Sequence, residues 1–150
     1  MGIENDINQR IFKSEYQKAI INLIYTYNWT TEQLRHLFDK ENLTMQQFNI
    51  LRILRGSDVP LSTLQIRERM LDKMSDTSRI VDRLILKDLT KKITCKRDKR
   101  LVDVTITDKG KKLLQKLDKY EPDIEATVKS LSEEEAKTLN YLLDKIRKSN

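Results

Sequence analysis

The sequence predicts a mainly α (α+β) fold in which helices surround one small β hairpin. Three observations predict this class. Apolar residues recur at helical spacing over most of the 150 residues. Capping boxes, the Ser/Thr-x-x-Gln/Glu signature of a helix start, occur at Thr44–Gln47, Ser62–Gln65 and Ser132–Glu135. Between residues 93 and 106 the apolar pattern changes to alternation, which is typical of strands.

The N-terminal quarter of the chain predicts one long helix. Residues 1–8 form a mobile arm in this interpretation, and an apolar helical stripe runs from near Asn8 to Phe38. The segment Asn28-Trp29-Thr30-Thr31 either bends this helix or divides it in two. Because a small lone domain cannot cover so long a helix, part of its stripe is expected to contact another subunit.

The next segment predicts three helices separated by short turns. The Thr44 box opens a helix that Gly56 ends in a left-handed cap, and the Ser62 box opens a short second helix. The third helix is capped by Ser75 and exits through a left-handed Asp88. Its buried stripe comprises Met74, Thr77, Val81, Leu84, Ile85 and Leu89. This is a helix-turn-helix in which the last helix carries a basic outer face.

A two-strand hairpin follows the basic helix. Ile93 and Cys95 alternate with polar residues, and so do Val102 and Val104 after a charged tip. A two-residue tip at Asp98-Lys99 would pair Cys95 with Val102 and Ile93 with Val104, so that all four share one face. A basic helix followed by a basic-tipped hairpin is typical of a nucleic-acid-binding winged helix-turn-helix.

The C-terminal part predicts helices again. Thr107 or Asp108 caps a helix that reaches about Tyr120, and Pro122 allows a break. Residues 123–130 are expected to be helical, and the Ser132 box opens the last helix.

Both ends of the chain are therefore amphipathic helices, and the middle is a compact unit. The predicted organisation is one subunit over residues 1–150, with a winged-helix DNA-binding lobe at 41–112. Residues 8–40 and 120–148 are the predicted dimerisation helices, since terminal helices of this kind bury their stripes most economically in a homodimer.

Basic residues are concentrated in one segment. The chain carries a net charge of +6, and residues 79–112 hold twelve Lys/Arg against five Asp, a local charge of +7. The rest of the chain therefore sums to −1. An ordinary solvated face is the alternative interpretation, but clustering on one helix–hairpin unit favours a polyanion-binding surface.

Several classes of protein do not fit the sequence. No apolar run approaches the ~18 residues of a membrane span, so no membrane partner is expected. A single Cys cannot form an internal disulfide, which favours a reducing, cytoplasmic location. There is no Gly-rich phosphate loop, metal-ligand spacing or nucleophile with a matching base. We therefore expect neither an enzyme nor a cofactor nor a metal site.

The sequence resembles the MarR family of bacterial winged-helix regulators over nearly its whole length. Four stretches carry the resemblance through their order and spacing. They are the second-helix opening at Leu43–Leu51, the recognition-helix signature at Ser78–Leu84, the D-x-R wing tip at Asp98–Arg100 and the strand-to-helix exit at Val104–Gly110. The sequence departs from the family at Asp88, where Gly is usual. The resemblance implies a homodimer that binds a pseudo-palindromic operator, most often as a repressor.

The recognition helix provides the expected major-groove contacts, which are Ser75, Asp76, Thr77, Ser78, Arg79 and Arg83. An Arg there can bind guanine O6 and N7 with two hydrogen bonds. Thr77 also belongs to the buried stripe, so it has a second, structural interpretation. Asp82 and Arg83 could instead form only an exposed ion pair.

The wing is expected to contact DNA through its tip. The resemblance puts Arg100 in the minor groove, with Asp98 holding its guanidinium through a charge-assisted bond. Lys96, Arg97 and Lys99 are predicted phosphate contacts, which add affinity but no sequence information.

Many members of the family are released from DNA by a small aromatic ligand or by cysteine oxidation. Tyr25, Tyr27, Trp29, His36 and Arg52 could line a ligand crevice where the dimer helices meet the lobe. The alternative is that these are ordinary core and interface residues. Redox sensing by Cys95 is not favoured, because peroxide-sensing members use a Cys in the first helix.

Two other functions remain as alternatives to specific DNA binding. A winged helix can serve protein–protein assembly with its basic face solvated, and equal, weak binding to every duplex would indicate that role. RNA binding is less favoured, because the hairpin lacks exposed aromatic residues for base stacking.

Overall fold

The computed structural model describes residues 2–94 and 102–148, and the chain folds into helices around one small sheet. The helices are α1 (Ile3–Asp6), α2 (Glu15–Asp39), α3 (Met45–Arg55), α4 (Thr63–Arg69), α5 (Thr77–Leu86), α6 (Asp108–Asp118), α7 (Glu121–Ala126) and α8 (Glu133–Lys148). The strands are β1 (Leu61–Ser62), β2 (Thr90–Thr94) and β3 (Val102–Ile106). This arrangement confirms the predicted winged helix-turn-helix fold.

One hydrophobic core joins the C-terminal end of α2 to helices α3–α6 and the sheet. Its most deeply buried side chains include Ile50, Leu51, Leu61, Ile66, Met70, Val81, Leu84, Val104 and Leu114. Phe38 of α2 stacks on Phe48 of α3, with 4.4 Å between the ring centroids. The core thus fixes α5, the predicted recognition helix, on a rigid support.

The three predicted capping boxes set the starts of α3, α4 and α8. In the first box, Thr44 Oγ1 accepts from the Gln47 N–H at 3.1 Å, and Gln47 Oε1 accepts from the Thr44 N–H at 3.2 Å. The same reciprocal pair forms in the other two boxes, with distances between 2.7 and 3.3 Å. Each box satisfies two backbone donors that a helix start would otherwise leave unpaired.

The sheet has the order β1-β3-β2, and both strand pairs are antiparallel. Ile93 lies opposite Asp103, so the predicted pairing of Ile93 with Val104 is wrong by one residue. Opposite residues share a face, so Ile93 lies on the side away from Val104. Thr90, only 2% exposed and opposite Ile106, takes the core position instead. Burial at the base of the hairpin therefore sets the register.

The N-terminal region differs from its prediction. Residues Ile3–Asp6 form a helical turn with Ile3 buried, rather than a mobile arm. The long helix begins at Glu15 and not near Asn8, because Ser14 Oγ caps it by accepting from the Gln17 N–H at 3.1 Å. Asn8 itself has φ 54°, which a right-handed helix does not allow. The helix is not divided at residues 28–31.

The ends of α3 and α5 fall at the expected residues, but the conformation of one of them differs from its prediction. Gly56 does end α3, but its φ is −80°, so the predicted left-handed cap is wrong. Asp88 has φ 59°, which confirms the expectation for the exit of α5. Asn42, in the turn between α2 and α3, is also left-handed, with φ 52°. Asn and Asp tolerate this conformation better than most residues with a Cβ.

The start of α5 lies later than expected. Asp76, not Ser75, is the cap, since its side chain accepts from the Arg79 N–H at 3.2 Å. Met74 consequently falls outside the helix and is 94% exposed. The buried stripe is confirmed at Thr77, Val81, Leu84 and Leu89.

Beyond the sheet, Thr107 rather than Asp108 caps α6, because its Oγ1 accepts from the Gly110 N–H at 3.0 Å. A new helix begins at Glu121 with Pro122 in its first turn, which agrees with the predicted break. That helix ends at Ala126, so the helix expected over 123–130 is too long.

The N-terminal half of α2 and the whole of α8, called the arms below, leave the core. Phe38 alone is buried among the 25 residues of α2, all of which the structure describes, and every residue of α8 is at least partly exposed. Exposed apolar side chains line both arms: Tyr16, Ile20, Leu23, Ile24 and Tyr27 on α2, and Leu139, Tyr141, Leu142 and Ile146 on α8. Contiguous apolar surface of this kind indicates an interaction site. Within the described ranges, every helix is too short or too polar to cross a bilayer.

Candidate nucleic-acid interface

A surface cleft of about 420 Å³ separates α4 from the start of α5. The structure brings four of the predicted DNA-binding residues together along one wall of this cleft: Ser75, Asp76, Thr77 and Ser78. The opposite wall is formed by Thr63, Leu64 and Arg67 of α4. Hydroxyl, carboxylate and guanidinium groups therefore converge on a concave edge beside the exposed face of α5.

Asp76 organises the start of α5. One carboxylate oxygen, Oδ1, accepts from the Arg79 N–H at 3.2 Å, and Oδ2 lies 3.2 Å from Arg79 Nε. The guanidinium is thus oriented by the same side chain that caps the helix. Both side chains are exposed, 81% for Arg79 and 58% for Asp76, so water screens the pair and it contributes little stability.

Ser75 lies in the turn before α5 rather than in the helix. Its hydroxyl donates to the Asp72 carbonyl at 2.8 Å, and the residue lines the cleft. Thr77, the first residue of α5, lines the cleft but is only 4% exposed. The exposed polar positions of this helix are therefore Ser78, Arg79, Asp82 and Arg83.

Asp82 and Arg83 do not pair with each other. Asp82 Oδ1 instead lies 2.8 Å from Lys92 Nζ, which ties the outer face of α5 to strand β2. Arg83 is exposed, and its guanidinium forms no ion pair with any residue that the structure describes. The face thus contains one arginine oriented by a neighbouring carboxylate and one that is available to a ligand.

The contribution of α4 was not predicted. Leu64 is 64% exposed and lines the cleft with Thr63 and Arg67. The sequence does contain a signal, because the Ser62 box marks Thr63 as the first helical residue, and the spacing of four residues places Thr63 and Arg67 on one side of the helix. What the sequence does not reveal is that this side of α4 lies against the start of α5.

The wing tip lies outside the described residues. This applies to Lys96, Arg97, Asp98, Lys99 and Arg100, and also to Cys95. The described strands lead toward the tip, and Lys91 and Lys92 of β2 are exposed on the way. The basic character of α5 therefore continues onto the sheet beside it.

The predicted ligand-binding residues are only partly grouped. At 100° per residue, Tyr25, Trp29 and His36 fall within about 40° of one another on α2, while Tyr27 is on the opposite side. All four are exposed, with Trp29 at 43% and Tyr27 at 66%. Arg52 belongs to α3, and its guanidinium carbon lies 5.8 Å from the Phe48 ring centroid. Tyr25, Trp29 and His36 thus lie together on one exposed side of α2, and Tyr27 lies on the other side.

Comparison with known proteins finds relatives that are transcriptional regulators. No protein-family model matches the chain. The chain is 31% identical over 110 residues to the HTH-type transcriptional regulator MgrA of Staphylococcus aureus, which covers 73% of this chain and 74% of MgrA. Among solved structures, a MarR transcription factor from Planctomyces limnophilus is 30% identical, with a TM-score of 0.66 over 89% of this chain and 98% of that one.

Two further structures share the fold at lower identity. A mutant MarR from E. coli complexed with operator DNA has a TM-score of 0.76 and 21% identity, covering 97% of this chain and 99% of that one. BpsR of Bordetella bronchiseptica, whose DNA binding is regulated by 6-hydroxynicotinic acid, has a TM-score of 0.76 and 23% identity. That match covers 83% of this chain and 89% of BpsR.

Proposed function

Because the chain belongs to the MarR family of winged helix-turn-helix transcriptional regulators, a class of DNA-binding proteins and not of enzymes, we propose that it represses transcription in the cytoplasm. In this proposal a homodimer binds a pseudo-palindromic operator. The observation that carries the proposal is the outer face of α5, where Ser78, Arg79 and Arg83 are exposed beside the cleft.

Recognition of the DNA sequence is proposed to depend on Arg79 and Arg83. Each can donate two hydrogen bonds to guanine O6 and N7, and a good bidentate contact discriminates by about 1–3 kcal/mol. Ser75 and Ser78 add shorter polar contacts, and Asp76 holds Arg79 in position. Lysines of the strand and wing contact phosphates, so affinity depends on salt.

The wing is proposed to add a minor-groove contact through Arg100. A guanidinium is attracted by the enhanced negative potential of a narrow, A·T-rich minor groove. Asp98, two residues before it, would orient the guanidinium by a charge-assisted hydrogen bond. Arg100→Ala is expected to weaken operator binding sharply without unfolding the protein.

Dimerisation is proposed to occur through the arms. Their apolar side chains are exposed in the single chain, and a second copy would remove them from water at about 25 cal/mol per Å². A two-fold dimer places two recognition helices about 34 Å apart, one turn of DNA. Residues 8–40 and 120–148 then serve as dimerisation helices, and 41–112 as the DNA-binding lobe.

A small aromatic effector is proposed to act at the side of α2 that carries Tyr25, Trp29 and His36. Regulation of BpsR by 6-hydroxynicotinic acid is a precedent within the same fold. Because Trp29 and His36 lie between the arm part of α2 and the end of α2 that joins the core, a ligand bound there would change how the arms hold the lobes. Tyr27 and Arg52 are not on this side of α2, so neither is proposed to contact the effector.

Selection of bound sites from random duplex DNA tests the proposal directly. An inverted repeat is expected, with affinity for it falling steeply as salt concentration rises. Equal and weak binding to every duplex would contradict the proposal and favour a protein-assembly role. Titration of the selected DNA complex with aromatic acids then tests the effector separately.

A further inference from the structure

The C-terminal end of α5 is anchored to the start of α6 by hydrogen bonds to its backbone carbonyls. Lys109 Nζ donates to the Lys87 carbonyl at 2.9 Å, and Thr107 Oγ1 donates to the Asp88 carbonyl at 2.8 Å. The Thr107 N–H also donates to the Leu89 carbonyl at 3.1 Å. Three consecutive carbonyls at the exit of the recognition helix are thus bound by the start of α6.

The side chain of Lys87 crosses to the other side, into the turn between α2 and α3. Its Nζ donates to the Asn42 carbonyl and to Gln47 Oε1, the latter at 3.2 Å. Gln47 is only 4% exposed, and the same oxygen accepts from the Thr44 N–H in the capping box. The cation therefore joins the end of α5 to the residues that begin α3.

The same turn is also bound to α6. Glu41 Oε1 lies 2.7 Å from Lys116 Nζ, and the Glu41 side chain is only 12% exposed. The hydrogen bond that Lys116 donates to the Glu41 carboxylate raises the pKa of Lys116. Residues 40–43 connect α2 to the lobe. They are thus bound by two lysines, Lys87 at the end of the recognition helix and Lys116 of α6.

We propose that Lys87 is a positioning residue that fixes the direction of the recognition helix relative to the arm, and thereby selects the separation of operator half-sites. This inference rests on the proposed function. Apolar contacts of Val81 and Leu84 hold α5 against the core without a strong directional preference. A charge-assisted hydrogen bond to a fixed carbonyl is directional, and it connects α5 to the turn that ends α2.

The geometry explains why separation is the property affected. Two lobes in a two-fold dimer present their recognition helices about one DNA turn apart. A small rotation of either helix at its C-terminal end changes the distance between the two major-groove contacts. Loss of the Lys87 connection is therefore expected to broaden the accepted separation while leaving contacts within one half-site in place.

The experiment measures binding to a set of inverted repeats that differ only in the number of base pairs between half-sites. For Lys87→Met, the affinity ratio between the best separation and one longer by a base pair is expected to fall about threefold or more. Lys87→Arg, which keeps a cationic donor, is expected to retain more of the ratio than Lys87→Met. The charge control is Lys112→Met on α6, since Lys112 is exposed and forms no ion pair with the described residues.

The outcomes separate this inference from the proposed function. If the unmodified protein binds all separations equally, the proposed operator recognition fails, and the inference fails with it. If the unmodified protein discriminates and Lys87→Met keeps the same ratio as Lys112→Met, the positioning role alone is overturned. Should Lys87→Met fail to fold, Lys87→Gln replaces it, because its amide is one atom shorter and is expected to broaden the preference similarly.

Discussion

At the scale of single residues, the two arginines of α5 differ in their surroundings. Arg79 is engaged by Asp76, with 3.2 Å between its Nε and Oδ2. Arg83 has no such partner within the described part of the chain, since the carboxylate of Asp82 is taken by Lys92. Arg83 can therefore contact a base without first breaking an ion pair. The guanidinium of Arg79, in contrast, is already oriented by Asp76.

Replacing Arg83 by Ala is expected to relax specificity at one base pair of each half-site by about 1–3 kcal/mol, because a bidentate contact is lost. The measurement compares binding of the selected operator with binding of operators substituted at each position. Lys112→Ala serves as the matched loss of one charge and is expected to weaken all sequences equally. An unchanged base preference in Arg83→Ala would exclude this arginine from base reading.

Gly110 and Gly56 form a second contrasting pair at this scale. A Cβ on Gly110 would lie 2.3 Å from the Leu89 carbonyl oxygen and 2.7 Å from Ile106 Cγ1. That carbonyl is already held by the Thr107 N–H, so it cannot move away cheaply. A Cβ on Gly56 would meet the Arg52 carbonyl at an ordinary 3.4 Å.

Gly110→Ala is therefore expected to destabilise the protein by about 1–3 kcal/mol or more, through overpacking. Gly56→Ala should be neutral or stabilising by up to about 1 kcal/mol, since Ala restricts the unfolded chain. Urea unfolding of both variants at one protein concentration measures the difference. Equal stability of the two variants would contradict the close contact at Gly110.

At the scale of elements, the helix starts that carry a capping box are the most predictable feature. Thr44 with Gln47 identified the start of α3, because both partners of a capping box lie within four residues. The start of α2 carries the same kind of signal in Ser14 and Gln17, whereas the apolar stripe alone predicts an earlier start. Local hydrogen bonding thus locates a helix end more accurately than hydrophobic spacing does.

The register of the hairpin was less predictable for a physical reason. Alternation of Ile93 with polar neighbours suggested an inward position, but Thr90 occupies the buried site at the base of the strand. Which strand residue is buried depends on helices that pack beneath it, and those are distant in sequence. The cleft residues of α4 were missed for the same reason, whereas the α5 residues followed from local pattern and resemblance.

The Arg55–Asp118 ion pair connects α3 to α6 and provides a pH test. Two hydrogen bonds of 2.8 and 3.0 Å join the guanidinium to both carboxylate oxygens, and the pKa of Asp118 is lowered mainly by this bonding. A lowered native pKa means that the stabilisation is complete above the ordinary Asp value of 3.8 and is lost as pH falls through the native value.

Asp118→Asn is accordingly expected to be less stable than the unmodified protein at neutral pH, by less than about 1 kcal/mol because both side chains are over a third exposed. The difference in unfolding free energy should shrink as pH falls below 3.8. Denaturation of both proteins across this range is the measurement. A difference independent of pH would mean that the carboxylate charge is not its source.

At the scale of the whole molecule, the proposed dimer depends on the arms, whose apolar side chains are exposed in the single chain. Leu142 of α8 is 47% exposed and lies on its apolar stripe with Leu139 and Ile146. Asn140, two residues earlier on the same helix, is about 200° away around the axis. The two positions therefore allow the same charge to be added to opposite sides of α8.

Leu142→Lys is expected to convert the dimer to a monomer, because a charge would be buried in an apolar interface. Asn140→Lys should leave the assembly intact. Sedimentation velocity distinguishes the two species, and operator binding by Leu142→Lys should fall with the loss of the second half-site contact. A stable monomer in the unmodified protein would remove the basis of the dimer proposal.

The scarcity of buried residues in α8 has a consequence for how strongly the protein responds to its own abundance. If only a second copy of the chain covers the arms, dimers form when the protein concentration exceeds the dissociation constant of the dimer. Below that level, promoter coverage grows with the square of the amount synthesised rather than in proportion to it. A small change in the amount of this protein would then switch a regulated gene. The exposed leucines of α8 would set the protein concentration at which this switch occurs.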